Sequence, residues 1–357
     1  MSIIASGIEA VERGLVPDLM TRLAIRQLCR KRLQTTQNSL LQSGGESNSE
    51  LVQQIRTGAI AIATDQANQQ HYELPAEFFQ TVLGPQHKYS CCYFADDRTT
   101  LSEAEIAALE ITCQRAELAN GQEILELGCG WGSLSLWMAE RFPGSRIVAV
   151  TNSTVQRQYI ENEVRIRGLD NLSVVLSDMN HFDPSGMQFD RVVSVEMFEH
   201  MRNYELLLHR IASWLKPAGK LFVHVFCHRT LSYAFETEGT DNWMGRYFFT
   251  GGIMPSADLL PQFNRDLTVT RQYAWNGQHY QRTAEAWLSN LDARRAEVLP
   301  ILSKAYGSEQ ARRWLNRWRM FFLAVVELFG YDNGEQWYVS HYLLEHTSRA
   351  TRDSISV

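Results

Sequence analysis

The sequence predicts an α/β fold, a doubly wound, mostly parallel sheet with a helical cover before it and an insertion late in it. Three observations predict this. Residues 123–132, Glu-Ile-Leu-Glu-Leu-Gly-Cys-Gly-Trp-Gly, run an apolar segment into a glycine turn, and 133–141 then take helical spacing, as a nucleotide-binding crossover does. Further apolar segments at 146–151, 172–176, 190–195 and 220–226 alternate with helical ones at 154–167 and 204–215, the order of a parallel sheet with crossover helices. Residues 228–265 then interrupt the pattern with aromatic, Gly-rich sequence before two last strands at 267–275 and 337–344, which bring the sheet to seven.

Taken in order, residues 1–33 read as helices broken at Pro17, and the polar stretch 34–49 as a mobile linker. A helical stretch over 50–67 leads to His71-Tyr-Glu-Leu-Pro75 and a helix over 76–83. Thr100 and Glu103 form a capping box that opens a helix reaching about 118. The core follows, with Pro217-Ala-Gly219 turning its last helix into a strand, and 278–330 read as hydrophobic helix. The division expected is 1–118 helical cover and linker, 119–227 nucleotide-binding core, 228–265 substrate-binding insertion, and 266–357 completing the core.

A length of 357 residues suits two domains, or one with large appendages, and 45% hydrophobic residues suffice for a sizeable core. A net charge of −6 gives no basic field for nucleic acid, so no such partner is expected. The local exception is 22–32, an amphipathic stretch with Arg22, Arg26, Arg30, Lys31 and Arg32. It is expected to be a solvated face on a helix packed over the domain, with membrane-surface contact as the alternative. Six cysteines (29, 91, 92, 113, 129, 227) show no C-x-x-C pair or zinc-like spacing. Reduced thiols, no metal and a cytoplasmic location follow, since there is also no long apolar run and no signal pattern.

In the glycine turn, Gly128 permits the tight bend, Gly130 lets a ligand approach the backbone, and Gly132 brings helix near strand. A dinucleotide fingerprint would need glycine at 133, where Ser stands, and an acidic residue at the end of the second strand, where Asn152 stands. The form present, Glu126-x-Gly-x-Gly-x-Gly, resembles motif I of the class I S-adenosylmethionine (SAM) methyltransferases, which implies a Rossmann-like core with SAM as cofactor. Ligands of such sheets lie outside the carboxyl ends of the strands. Four ends then form one wall: Gly128–Gly132, Thr151 with Asn152 and Gln156, Asp178 with Met179, and Val195 with Glu196. Asn152 and Gln156 suit ribose hydroxyls or the amino-acid end of SAM. Asp178 suits the adenine amino group and Met179 the ring face, unless Asp178 caps the following turn.

Glu196-Met-Phe-Glu199-His200-Met201 sets two carboxylates and an imidazole within five residues of a strand end. Attack on a sulfonium methyl needs a free lone pair, and an amine is mostly protonated near pH 7, so a base must take its proton. Glu199 and His200 suit that work, and Glu196 can attract an ammonium. The competing reading makes Glu199 and His200 mere caps of the helix that begins near Asn203.

Lys-Tyr-Ser-Cys-Cys-Tyr-Phe (88–94), Leu-Gly-Cys-Gly-Trp-Gly-Ser (127–133) and Glu-Met-Phe-Glu-His-Met (196–201) resemble the cyclopropane-fatty-acid-synthase superfamily. Phe-Cys-His-Arg-Thr (226–230), Arg-Tyr-Phe-Phe-Thr-Gly-Gly-Ile-Met-Pro-Ser (246–256), Trp-Asn-Gly-Gln-His-Tyr (275–280) and Glu-Leu-Phe-Gly-Tyr-Asp-Asn-Gly-Glu-Gln-Trp (327–337) are closer to its plant alkaloid branch, the coclaurine-type N-methyltransferases. The resemblance spans about 70–345. It implies amine handling by Glu196, Glu199 and His200, and places Tyr89 and Ser90 at SAM. In the lipid branch the position of Glu196 is usually glycine and a bicarbonate ion acts as base, with ligands that match Cys91, Glu199, His224 and Tyr280. Bicarbonate therefore stays open as a second cofactor.

Among the late aromatics, Tyr247, Phe248, Tyr280, Phe322 and Tyr331 are expected at the substrate, stacked on an amine or lining an acyl channel. Tyr247 and Phe248 are preferred because a Gly-rich turn follows them. The leading expectation is SAM-dependent N-methylation of a small cyclic or aromatic amine of tetrahydroisoquinoline type, with a homodimer as the candidate assembly. The alternatives are methyl or methylene transfer to an unsaturated lipid acyl chain, and a SAM-binding sensor or scaffold without catalysis.

Overall fold

A computed structural model describes residues 3–42, 51, 53, 55–62, 74–239 and 242–348. Its frame is a seven-stranded sheet: β1 (Glu123–Leu127), β2 (Arg146–Thr151), β3 (Leu172–Leu176), β4 (Phe189–Val195), β5 (Leu215–His228), β8 (Leu267–Trp275) and β9 (Trp337–His346). A two-residue pair, β6 (Tyr233–Ala234) and β7 (Ile253–Met254), stands apart from it. The sheet order is β3-β2-β1-β4-β5-β9-β8, with the first five strands parallel and β9 antiparallel to both of its neighbours. The order reverses beside β1, so the crevice between the ends of β1 and β4 is the place for a ligand.

Eleven helices are described: α1 (Ile3–Glu12), α2 (Asp18–Gln42), α3 (Ala76–Val82), α4 (Leu101–Arg115), α5 (Ser133–Arg141), α6 (Thr154–Arg167), α7 (Tyr204–Trp214), α8 (Trp243–Tyr247), α9 (Gln278–Ala293), α10 (Arg295–Tyr306) and α11 (Ala311–Phe329). The expected capping box opens α4, with the Thr100 hydroxyl accepting from the Glu103 N–H and the Glu103 carboxylate accepting from the Thr100 N–H. Fully buried aliphatics of β1, β2 and β4 face α5 on one side (Ile124, Ile147, Val193) and α7 on the other (Leu125, Val148, Val192). Near-continuous apolar strands of this kind belong to a sheet covered on both faces.

Three expectations are corrected. The strand predicted at 220–226 begins at Leu215, because an irregularity in the β4–β5 register keeps residues 215–219 in the ladder. The linker predicted over 34–49 is helix as far as Gln42, and 43–49 lie outside the described residues. The helix predicted over 50–67 is not continued by 55–62, which form turns. There the Ile60 and Ile55 carbonyls accept from the Arg202 N–H (2.6 Å) and Tyr204 N–H (3.0 Å), and Ala61 forms a bridge with Met201. Asn180 pairs with both the N–H and the C=O of Ala61. Backbone groups used in this way are lost to a helix. The His71-Tyr-Glu stretch lies outside the described residues.

The basic stretch 22–32 lies, as expected, on a helix packed over the domain, with Arg26, Arg30 and Lys31 exposed and Arg22 largely covered. Arg22 pairs with Glu285 at 2.6 Å and with Glu327 at 2.9 Å, and Arg26 pairs with Glu327 as well. Leu19, Met20 and Leu23 face outward. Glu327 is buried on α11 and Glu12 is buried on α1, where it accepts from Arg317 and from the Trp243 indole N–H. Buried carboxylates need such partners, and these fix the orientation of the N-terminal helices. Among the described residues no helix is long and apolar enough to cross a membrane.

Candidate active site

A cleft opens at the carboxyl ends of β1, β2 and β4. Its floor is the turn after β1. Gly128 has φ +77°, and a Cβ there would lie 2.7 Å from Met197 Cγ. Gly130 has φ +53°, and a Cβ there would have no neighbour within 4 Å, so the backbone borders open space. Tyr89, Ser90, Gly128, Gly130, Asn152, Gln156, Met179, Val195, Glu196 and His200 all line the cleft, as the sequence predicts. Asp178 does not. Its Oδ1 accepts from the Asn180 N–H at 2.7 Å, so it caps the turn.

The wall carries buried polar atoms that lack a protein partner: Gln156 Nε2, Trp131 Nε1 and Ser133 Oγ. Gln156 is held by its other end, with Oε1 accepting from the Thr151 hydroxyl at 2.7 Å. Buried groups of this kind are normally satisfied, and here a polar ligand in the cleft would do so. Glu126 adds a carboxyl that burial pushes up to about 8, with the Ser135 hydroxyl bonded to it. Donors along one side, a thioether (Met179) on the other and a bare glycine turn between them fit SAM.

Glu196 is the hub of the acceptor side. It ends β4 with φ +49°, a left-handed conformation that costs a non-glycine residue about 1 kcal/mol. Its Oε1 accepts from the Cys91 N–H at 2.9 Å and lies 3.3 Å from His224 Nε2, while Oε2 accepts from the Tyr280 hydroxyl at 2.7 Å. Burial raises the carboxyl, opposed first by the Lys88 charge, then by the Cys91 N–H, Tyr280 and His200. Lys88 is itself buried, donating to Ser90 Oγ and to the Cys91 carbonyl, both at 2.6 Å.

Glu199 and His200 are not helix caps. Asn203 caps α7, accepting from the Leu206 N–H at 2.9 Å. Glu199 is fully buried, with Oε1 accepting from the Phe226 N–H at 2.8 Å and Oε2 without a partner. Burial and the charge of Glu196 push it well above the usual carboxylate range. The His200 ring stacks parallel on Phe249, centroids 5.5 Å apart, and burial lowers it to about 4, which leaves the imidazole neutral with a lone pair on one nitrogen.

Four of the aromatics expected at the substrate stand outside this cleft. Phe248 is fully buried and stacks on Phe321 at 4.4 Å, and Phe322 packs against Trp287 and Trp318. Tyr247 lies under the Arg317 guanidinium, and Tyr331 sits edge-on to Trp337. Helical aromatic spacing is the same for core and pocket, so it could not separate them. Tyr280 reaches the site through its hydroxyl while its ring stacks on Phe329. Cys91 reaches it through its backbone, its thiol donating to the Cys92 carbonyl. Ala61, Ile62, His87, Leu109 and Thr112 line the cleft from outside any quoted motif, and sequence reasoning also missed Lys88, Glu126, Trp131, Ser133 and Thr250. Each of the latter lies inside a quoted motif, which was the available signal.

The family model for mycolic acid cyclopropane synthetase matches residues 61–332. (S)-coclaurine N-methyltransferase of Thalictrum flavum subsp. glaucum is 40% identical over 349 residues, 96% of each chain. A crystal structure of coclaurine N-methyltransferase bound to N-methylheliamine and SAH is 39% identical with TM-score 0.92, covering 96% of this chain and 100% of that one. Cyclopropane-fatty-acyl-phospholipid synthase of Escherichia coli K12 is 31% identical over 239 residues, 66% of this chain and 59% of the other.

Proposed function

Because the chain belongs to the mycolic acid cyclopropane synthetase family and is a SAM-dependent methyltransferase, we propose that it methylates the nitrogen of a small cyclic or aromatic amine of the benzylisoquinoline or tetrahydroisoquinoline type. Bound SAM supplies the electrophilic methyl group. Gln156, Asn152, Gly128, Gly130 and Met179 are the cleft residues that would hold it. On the acceptor side, neutral His200 takes the amine proton, and Glu196 holds the nitrogen in line through its negative charge. The His200 ring, backed by the parallel Phe249 ring, gives an aromatic acceptor a flat surface. Alignment of the two reactants supplies much of the rate.

One observation carries this reading: the Glu196 carboxylate takes the Cys91 N–H, His224 and Tyr280 contacts. Three of the four groups that the lipid-branch resemblance assigns to bicarbonate are thereby engaged by a side chain of this protein. A fixed carboxylate serves a cationic amine and leaves no need for a diffusible anion, which speaks against lipid transfer. The cytoplasm, where six buried free cysteines stay reduced, is the compartment we favour.

The test is methyl transfer from labelled SAM to a panel of benzylisoquinoline and simple cyclic amines, beside unsaturated phospholipid vesicles with and without bicarbonate. Label is expected on an amine, independent of bicarbonate. Label confined to lipid would overturn the reading.

A further inference from the structure

Behind Glu196 a row of three polar rings, two of them fully buried, crosses three strands. Val195 on β4 is in register with His224 on β5, His224 with His341 on β9, and His341 with Tyr273 on β8. Both histidines are fully buried, with ring centroids 4.6 Å apart. Arg115, the last residue of α4, lies over Tyr273 at 4.4 Å and places Nη1 2.9 Å from His341 Nδ1. No step described so far uses Arg115 or His341.

Hydrogen-bond chemistry gives this row a direction. A guanidinium can only donate, so His341 Nδ1 must accept. Burial keeps both imidazoles neutral, so the proton of His341 sits on Nε2. His341 Nε2 and His224 Nδ1 are buried and neither makes a hydrogen bond, leaving one donor and one acceptor that a single bridging water would join to complete the row. His224 then carries its proton on Nε2, which faces Glu196 Oε1 at 3.3 Å. With Nδ1 protonated instead, His224 would present a lone pair to the carboxylate.

We propose that Arg115 and His341 are positioning residues for methyl transfer, acting through His224 to fix the tautomer whose Nε2–H is donated to Glu196. The inference rests on the amine-binding reading of Glu196 given above. The other groups around that carboxylate are Lys88 and the Cys91 N–H on the 88–91 segment, Tyr280 on α9, and Glu199 and His200 just after β4. Tyr93 and Tyr273 face Arg115. All of these remain in place in the variants below, so a change can be assigned to the row.

The experiment is the pH profile of kcat for Arg115→Gln, Arg115→Lys, His341→Phe and Glu196→Gln, with SAM affinity measured in parallel. Losing the donor to Glu196 makes its carboxylate easier to protonate. The acid limb is expected to move up by about one pH unit, a tenfold loss on that limb recovered at higher pH, in Arg115→Gln and His341→Phe. Arg115→Lys, which keeps a cationic donor, is expected to keep the wild-type limb, and SAM affinity is expected to hold throughout. Should His341→Phe not fold, the half-buried Arg115→Gln carries the test. A wild-type limb in Arg115→Gln, at whatever absolute rate, overturns the proposal. If Glu196→Gln loses activity while Arg115→Gln keeps its limb, the row alone is wrong; full activity in Glu196→Gln would sink the amine reading itself.

Discussion

Exchanging Glu196 for Gln keeps the shape of the side chain and removes its charge. The carboxylate now accepts on both oxygens, two donors meeting Oε1 and the Tyr280 hydroxyl meeting Oε2. A Gln would keep its carbonyl toward Cys91 and His224 and turn its NH2 to Tyr280, whose hydroxyl can rotate to accept. Folding is therefore expected to survive. The attraction for the amine is not. A hydrogen bond to a buried charged group is worth about 3 kcal/mol at the upper end, which corresponds to about two orders of magnitude in kcat. Stability should move the other way, because burial raises the Glu196 carboxyl and the folded state resists its ionisation. The variant is expected to melt no lower than the parent at pH 8. The assay is single-turnover methyl transfer with SAM saturating and its affinity checked by calorimetry. A kcat within about threefold of the parent would refute the reasoning, since a charge that matters at the nitrogen cannot be lost so cheaply.

Other outcomes follow from the same geometry. Glu199→Gln, which mimics the protonated acid, should keep most activity, whereas Glu199→Ala should lose it by leaving the Phe226 N–H unpaired; steady-state rates compare them. Gly128→Ala should weaken SAM binding more than tenfold, because the new Cβ meets Met197 at 2.7 Å on a left-handed backbone. For Glu126, a carboxyl held at about 8 in the fold and near 4.5 in the unfolded chain keeps its proton only when folded, so its stability is complete below 4.5 and is lost as pH rises toward 8. Glu126→Gln should accordingly gain in Tm over the parent, ligand-free, between pH 5 and pH 8. Phe249→Leu should raise KM for an aromatic amine by removing the stack on His200, while Phe248→Leu should lower Tm and leave that KM unchanged.

The frame was legible because buried parallel strands are written in one local pattern: β1, β2, β3 and β8 start and stop where the apolar runs do. The Thr100–Glu103 cap was legible for the same reason, being a contact three residues apart. What the sequence could not show was made by distant pairings. Residues 55–62 leave the helical state because the 200–204 backbone claims their carbonyls. Arg22 turns inward because Glu327, some 300 residues away, is buried beneath it, and the exposed Arg26 reaches the same carboxylate. The cluster of Glu196, Glu199 and His200 was visible as composition, but not its division of labour. A fully buried Glu199, a neutral His200 and a Glu196 held by Cys91, His224 and Tyr280 are consequences of burial and strand order.

The central claim is that the Glu196 carboxylate fills an anion-accepting set of donors and serves the amine from there. Glu196→Gly empties that set on a backbone that glycine adopts without strain, φ being +49°. The measurement is amine methylation by this variant with bicarbonate, formate or acetate added in turn, SAM binding being verified first. The account predicts a nearly inactive enzyme whose rate rises with added small carboxylate or bicarbonate and saturates. A variant that binds SAM and stays inactive at every anion concentration, or that never lost activity, would contradict it.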